Sequence, residues 1–200
     1  MRRARVLRRL RGSLLVVLVS VGVAAVPDAR AILPVLSAED VRRALDEGAK
    51  GIAKEDFGEE WRVQLPRGEE ILVTTPYARL AYAARRAAFK DEAVPDKQVQ
   101  EQIERGRGKL QLQVTMYGRQ VDFARWYQAV LRVGEREVKA TFTQNERTAL
   151  RTEDGRFAAR NIYVFPIEGL SPQGTVTLVL QHSIERKEIL RAPLDLSKMR

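Results

Sequence analysis

The sequence contains no cysteine, so it can form neither a disulfide framework nor a thiolate metal site. It has a single histidine, His182, and therefore lacks the ligand set of the usual zinc and copper centres. The neighbouring Ser183 would point to the opposite face of a strand, which disfavours a serine–histidine dyad. No glycine-rich phosphate loop and no serine nucleophile elbow is present. These absences favour a protein without a cofactor or metal, and a binding protein over an enzyme.

Long apolar runs are scarce as well. One run of 14 residues, 13–26, is shorter than the roughly 20 residues that a membrane-spanning helix needs. Six arginines precede this run within the first 11 residues, and Ala29-Arg30-Ala31 follows it. This order is typical of a secretory signal peptide over 1–31, cleaved near Ala31. We therefore expect a periplasmic or extracellular protein with no stable membrane insertion after cleavage; an uncleaved signal anchoring an envelope structural protein is the alternative.

The excess of positive charge lies mostly in this segment. The whole chain carries 35 basic and 26 acidic residues, a net charge of +9. Seven arginines and one aspartate belong to residues 1–31, which leaves 28 basic and 25 acidic residues, or +3, over the remaining 169. Nucleic-acid binding calls for a concentrated basic face, so this balance and export together argue against a nucleic-acid partner.

Residues 32–106 have mixed patterns, which predict a helical and β-hairpin region. Ser37 and Asp40 are spaced as a capping box that starts a helix. Apolar residues at helical spacing predict the buried side of that helix: Val41, Leu45, Ala49 and Ile52. A hairpin is expected around Pro66-Arg67-Gly68, and a second helix opens at Thr75-Pro76. The buried side of the second helix is rich in alanine, and a third short helix is expected over 96–105.

Residues 107–200 alternate with period two, and turns separate the apolar stretches. The alternation predicts six strands without intervening helices, which is typical of an antiparallel, Ig-like β-sandwich. Val138, Ala140 and Phe142 are expected in one strand of a hairpin that turns at Gly134. Pro193 predicts an edge position for the last strand. The whole chain is thus expected to be an α+β protein.

Two aromatic and arginine-rich stretches are the candidate partner-binding residues. On the flank of the second helix these are Tyr82, Arg85, Arg86 and Phe89. Between two predicted strands they are Phe123, Arg125, Trp126 and Tyr127. Aromatic residues and arginine are enriched in interface hot spots. The alternative is that the rings widen the buried helix face and close one end of the sandwich.

Carboxylates occur as adjacent pairs near turns, Glu59-Glu60 and Glu69-Glu70, and are expected to be solvated. The sequence favours an exported, non-catalytic binding protein whose partner is an envelope protein or polymer. Recognition would use the helix flank, residues 122–127 or an exposed edge strand. An exported hydrolase that acts on glycans with two carboxylates is the alternative, and it requires two facing acids in a cleft.

Overall fold

The computed structural model describes residues 32–200, so the predicted signal peptide and its cleavage site lie outside the described residues. Three α-helices are α1 (Ala38–Lys50), α2 (Pro76–Ala88) and α3 (Asp96–Gly106). The ten strands are β1 (Arg62–Gln64), β2 (Glu70–Thr74), β3 (Lys109–Gly118), β4 (Tyr127–Val133), β5 (Arg136–Lys139), β6 (Phe142–Gln144), β7 (Leu150–Arg151), β8 (Phe157–Pro166), β9 (Thr175–His182) and β10 (Glu188–Asp195). Short 3-10 turns cover Gly51–Ala53, Glu59–Trp61 and Leu196–Lys198. None of the helices within 32–200 has both the length and the apolar character needed to cross a bilayer.

The strands form two antiparallel sheets. One has the order β1-β2-β3-β8-β6, with β7 also pairing with β8, and the other has the order β10-β9-β4-β5. The inward side chains of both sheets belong to one hydrophobic core. The structure thus confirms the predicted α+β fold with a C-terminal antiparallel sandwich.

The spine of the larger sheet is the pair β3 and β8, which are joined in register from Lys109↔Pro166 to Gly118↔Phe157. On β3 the alternate residues are buried as predicted: Leu110, Leu112, Val114 and Met116. The hairpin of β1 and β2 extends this sheet, because β2 pairs with β3 from Glu70↔Thr115 to Thr74↔Gln111. The sheet therefore runs across the boundary that we placed between 106 and 107.

Two strands differ from the prediction after Gly134. Phe142 does not continue β5; it lies in β6 of the other sheet, opposite Val164, and is 51% exposed. The chain changes sheets after Lys139, and the Thr141 amide donates to the Val164 carbonyl (2.7 Å). With β6 and β7, eight strands rather than six follow residue 107. The last strand, with Pro193, is at a sheet edge as predicted.

Helix α1 starts at the predicted capping box, where the Asp40 amide donates to Ser37 Oγ (3.1 Å) and the Ser37 amide donates to Asp40 Oδ2 (3.1 Å). Its buried side matches the prediction only in part, because Val41 and Leu45 pack half-buried against the core but Ala49 and Ile52 do not. Gly48 is buried while Ala49 and Ile52 are exposed. The reason is the close approach of α2, since a Cβ on Gly48 would overlap the carbonyl group of Ala81.

Candidate binding surface

Helix α2 is fixed at its start and along one side. Thr75 caps it, with Oγ1 accepting from the Ala78 amide (3.0 Å), and Pro76 occupies the first turn. The buried residues of α2 are Pro76, Tyr77, Ala78, Leu80, Ala81 and Ala84. Because these residues hold one side in the core, the opposite side presents its arginines from a rigid support.

Tyr82 belongs to the buried part of this helix flank. Its ring lies edge-on to Phe57 at 5.3 Å between centroids and 5.4 Å from Trp61. Gly58, at φ +86°, leaves room for the Tyr82 ring, because a Cβ there would overlap the hydroxyl group. Burial raises the pKa of Tyr82, partly offset by the nearby Arg62. Tyr82 therefore widens the buried face, which is the alternative reading of its position.

The exposed Phe89 and the half-buried Arg85 form the outer part of the flank. The Arg85 guanidinium carbon lies 4.7 Å from the centroid of Phe57 and 5.4 Å from that of Phe89. Its Nη2 donates to the Lys54 carbonyl (3.3 Å), which fixes the side chain between the two rings. Phe89 remains 64% exposed. The neighbouring Arg86 is exposed too. We call Arg85, Arg86 and Phe89 the α2 ridge.

A depression of about 300 Å³ lies beside the α2 ridge, between α2 and α3. Its polar and charged lining residues are Thr74, Arg79, Tyr82, Arg86, Lys90, Glu92, Gln98 and Gln102. Arg86 thus belongs both to the ridge and to this depression.

The second candidate stretch lies at one end of the sandwich and, like the flank of α2, contains both buried and exposed residues. Tyr127 is 8% exposed and packs against Phe123 and His182, at 6.2 Å between ring centroids in each case. Phe123 is half-buried against Gly118. Both rings close the end of the core, so the prediction that they contact a partner is not supported by their burial. Arg125 and Trp126 are exposed, with the guanidinium 4.9 Å from the indole centroid.

An unpredicted polar cluster supports residues 125–127. Asn145 donates through Nδ2 to the carbonyls of Arg125 (3.2 Å) and Tyr127 (2.7 Å), and its Oδ1 accepts from the Tyr163 hydroxyl (3.0 Å). These bonds tie the loop after β6 to the start of β4, in the other sheet. In the sequence, Asn145 looks like an ordinary turn residue. It comes close to β4 only because the chain passes from one sheet to the other before β6.

The carboxylate pairs are not uniformly solvated. Glu69 is only 6% exposed, because it shares the inward parity of Ile71 and Val73, and it pairs with Arg67 (2.8 Å). A depression of about 340 Å³ near Tyr77 has a balanced charged lining: Glu47, Asp56, Glu60, Lys54, Lys198 and Arg200. Across residues 32–200, no group of three or more histidine or acidic side chains is placed to hold a metal ion.

Comparisons with known proteins bear on fold alone. No family model and no curated protein matches the chain. Among solved structures, it is similar to an IgNAR antibody domain C1 at 12% identity and a TM-score of 0.30, over 52% of this chain and 84% of that one. It is also similar to a protein of unknown function from Burkholderia pseudomallei at 11% identity and a TM-score of 0.40, over 82% of this chain and 92% of that one.

Proposed function

We propose that this chain is an exported, non-catalytic binding protein of the cell envelope that contacts an envelope protein or polymer through the α2 ridge. The observation that carries the proposal is the stacking of Arg85 beside the exposed ring of Phe89, on a helix whose other side lies in the core. The export part of the proposal rests on the basic and apolar pattern of residues 1–31.

The geometry of the ridge suits recognition for two reasons. An exposed aromatic ring beside an arginine supplies residue types that are enriched in protein interfaces. In addition, Phe57 and the Lys54 carbonyl already hold Arg85 in place, so binding would immobilise few further rotamers. Immobilising one long side chain costs on the order of 1 kcal/mol, and this part of the cost is met before the partner arrives.

Arg125 and Trp126 supply a second candidate contact. Trp126 is 46% exposed, and Asn145 fixes the backbone on both sides of it. An aromatic ring held in this way can pack on a partner or stack on a sugar. Because Trp126 is less exposed than Phe89, at 46% against 64%, we expect it to contribute less to binding.

The arrangement of the carboxylates among the described residues supports a glycan hydrolase less well than a binding protein. Such an enzyme needs two acids facing each other across roughly 5–9 Å of cleft. In the depression near Tyr77, three acids share the space with three cations, which is typical of a surface ion network. Glu69, the buried acid, is paired with Arg67. The binding role is therefore the better supported of the two.

Capture of a partner from envelope extract tests the ridge. We expect Phe89→Ala to recover at least fivefold less partner than the wild type, because the exposed ring is removed. Leu150→Ala, which trims an apolar side chain that is 71% exposed on the sheet edge, is the matched control and should recover as much as the wild type. Equal recovery by wild type and Phe89→Ala would overturn the role of the ridge.

N-terminal sequencing of the protein from cell fractions tests export. A chain that begins near Ile32 in the periplasm or the medium is the expected result. A chain that begins at Met1 in the cytosol would overturn the exported function whatever the ridge binds.

A further inference from the structure

Arg79 is a half-buried cation whose described contacts include no carboxylate. It lies on α2 beneath the end of α3, where Gly106 allows the approach of its side chain: a Cβ on Gly106 would lie 3.5 Å from Arg79 Nε. Arg79 Nη2 donates to Gln111 Oε1 (3.1 Å), while Nε is buried with no hydrogen-bond partner among the described residues. Burial and the nearby charge of Arg105 both lower the pKa of Arg79. The guanidinium therefore lacks charge compensation.

Arg79 lines two neighbouring depressions, which we call together the Arg79 groove. The depression of about 300 Å³ adds Arg86 and Lys90 as cations, with Glu92 as its one carboxylate. The other, of about 430 Å³, adds the cations Arg105 and Lys109 and the outer face of the larger sheet. Five cations and one carboxylate thus line the groove, although Arg105 also lies 4.0 Å from Glu101.

This imbalance favours an anion for a physical reason. A partly desolvated charge is costly unless it is paired, and like charges nearby add to the cost. A carboxylate entering the groove would supply the missing partner for Arg79. Charge-assisted bonds to a guanidinium are about twice as strong as neutral hydrogen bonds. An anion that binds here would therefore remove an electrostatic cost that the free protein carries at Arg79.

The spacing of the cations indicates the shape of the ligand. Arg79 and Arg86 are seven residues apart on α2, so they fall on one side of the helix about 10 Å apart along its axis, and Lys90 follows in the turn after the helix ends. An extended peptide rises about 3.3 Å per residue, so the distance from Arg79 to Arg86 corresponds to about three residues of a bound peptide. A single phosphate could contact one cation or two of this row, but an extended ligand could contact all three. The amides of Gln98 and Gln102 line the same depression and can bond to a peptide backbone.

We propose that the Arg79 groove binds an extended acidic peptide segment of the partner. This inference rests on the proposed function, because Arg86 belongs both to the α2 ridge and to the groove. It adds the chemistry of the partner: several carboxylates along one extended segment that follows α2.

Direct binding to defined probes tests the groove. The fluorescence anisotropy of a labelled octaglutamate peptide is measured as the full chain is added, and octaglutamine serves as the neutral probe. We expect octaglutamate to bind and octaglutamine to bind at least tenfold more weakly. Arg79→Gln should weaken octaglutamate binding at least fivefold. Lys90→Gln, at an exposed position where folding is not at stake, should weaken it at least twofold. Arg147→Gln removes one exposed charge outside the groove and should change the affinity less than twofold.

Three results would overturn the inference. They are no binding of octaglutamate, equal weakening by Arg147→Gln and Arg79→Gln, and tighter binding of inorganic phosphate or of polygalacturonate, an acidic glycan, than of octaglutamate. Failure of the groove and failure of the ridge are distinguishable. Loss of partner capture by Phe89→Ala together with no octaglutamate binding removes the groove alone, whereas octaglutamate binding with full capture by Phe89→Ala removes the ridge alone.

Discussion

Replacing Gly48 by alanine sets helix propensity against packing. At an exposed helical position, alanine is about 1 kcal/mol more favourable than glycine. Gly48 is instead buried against α2, where an added methyl would overlap both the Ala81 carbonyl and the Ala84 methyl. The first obstacle is the backbone of another helix, which cannot rotate away, so α1 has to retreat.

The size of the effect follows from that geometry. The added methyl needs ordinary contact at 3.4 Å or more, which requires a shift of roughly 1 Å between the helices. Overpacking of this kind costs about 1–3 kcal/mol, and a rigid obstacle favours the upper end. After subtraction of about 1 kcal/mol for propensity, the net loss is about 2 kcal/mol. In a protein of this size, that loss lowers the Tm by about 4–8 °C.

Urea and thermal unfolding, followed by circular dichroism, measure the change. Ala49→Gly is the matched control, because Ala49 is the next residue of α1 and is exposed. Propensity alone predicts opposite signs, a gain for Gly48→Ala and a loss of about 1 kcal/mol for Ala49→Gly. The structure predicts that both variants lose stability and that Gly48→Ala loses more. A Gly48→Ala variant as stable as the wild type would refute the packing of α1 on α2.

Two further predictions concern stability. Asn145→Ala should destabilise by about 1–3 kcal/mol, because it leaves two carbonyls and the Tyr163 hydroxyl without their partner. Urea unfolding should show a smaller loss for Tyr163→Phe, and equal losses would contradict the bridging role of Asn145. Asp40→Asn should reduce the acid sensitivity of folding. Burial raises the pKa of Asp40, but hydrogen bonds from Ser37 and the charge of Arg200 outweigh it and lower the pKa below its usual value. The ionised carboxylate therefore stabilises the fold above about pH 4, and this contribution is lost as the pH falls through the lower folded pKa. The prediction would be contradicted if the free energy of unfolding changed equally between neutral and acidic pH for the wild type and for Asp40→Asn.

The elements that local patterns determine were predicted correctly. The alternation on β3 and the cap of α2 at Thr75 depend on neighbours within a few residues, and the structure confirms both. The buried side of α1 was predicted wrongly at Ala49 and Ile52, because it depends on α2, about 30 residues further on. Hydrophobic periodicity gives glycine no weight, yet the absent side chain of Gly48 is what lets the helices touch.

The same limit applies to the candidate surfaces. The sequence singled out aromatic residues near arginines, but it could not separate the half-buried ring of Tyr82 and the buried ring of Tyr127 from the exposed ring of Phe89. That distinction is made by Phe57 and by β9, which come from distant parts of the chain. The sequence patterns did not single out Arg79. Its charge becomes significant because α3 covers it, and this packing leaves no local pattern.

Helix α2 contacts both α1 and the residues of the Arg79 groove. Small residues allow α1 to pack closely on one flank, and α3 covers Arg79 on another, so the helix is held between them. A helix held in this way keeps Arg79 and Arg86 at a fixed spacing, and a fixed spacing favours an extended ligand over loosely bound counterions. Loosening α1 should therefore weaken octaglutamate binding even though Gly48 is outside the Arg79 groove. If Gly48→Ala lowers the Tm as expected and leaves that affinity unchanged, α1 does not contribute to the geometry of the groove.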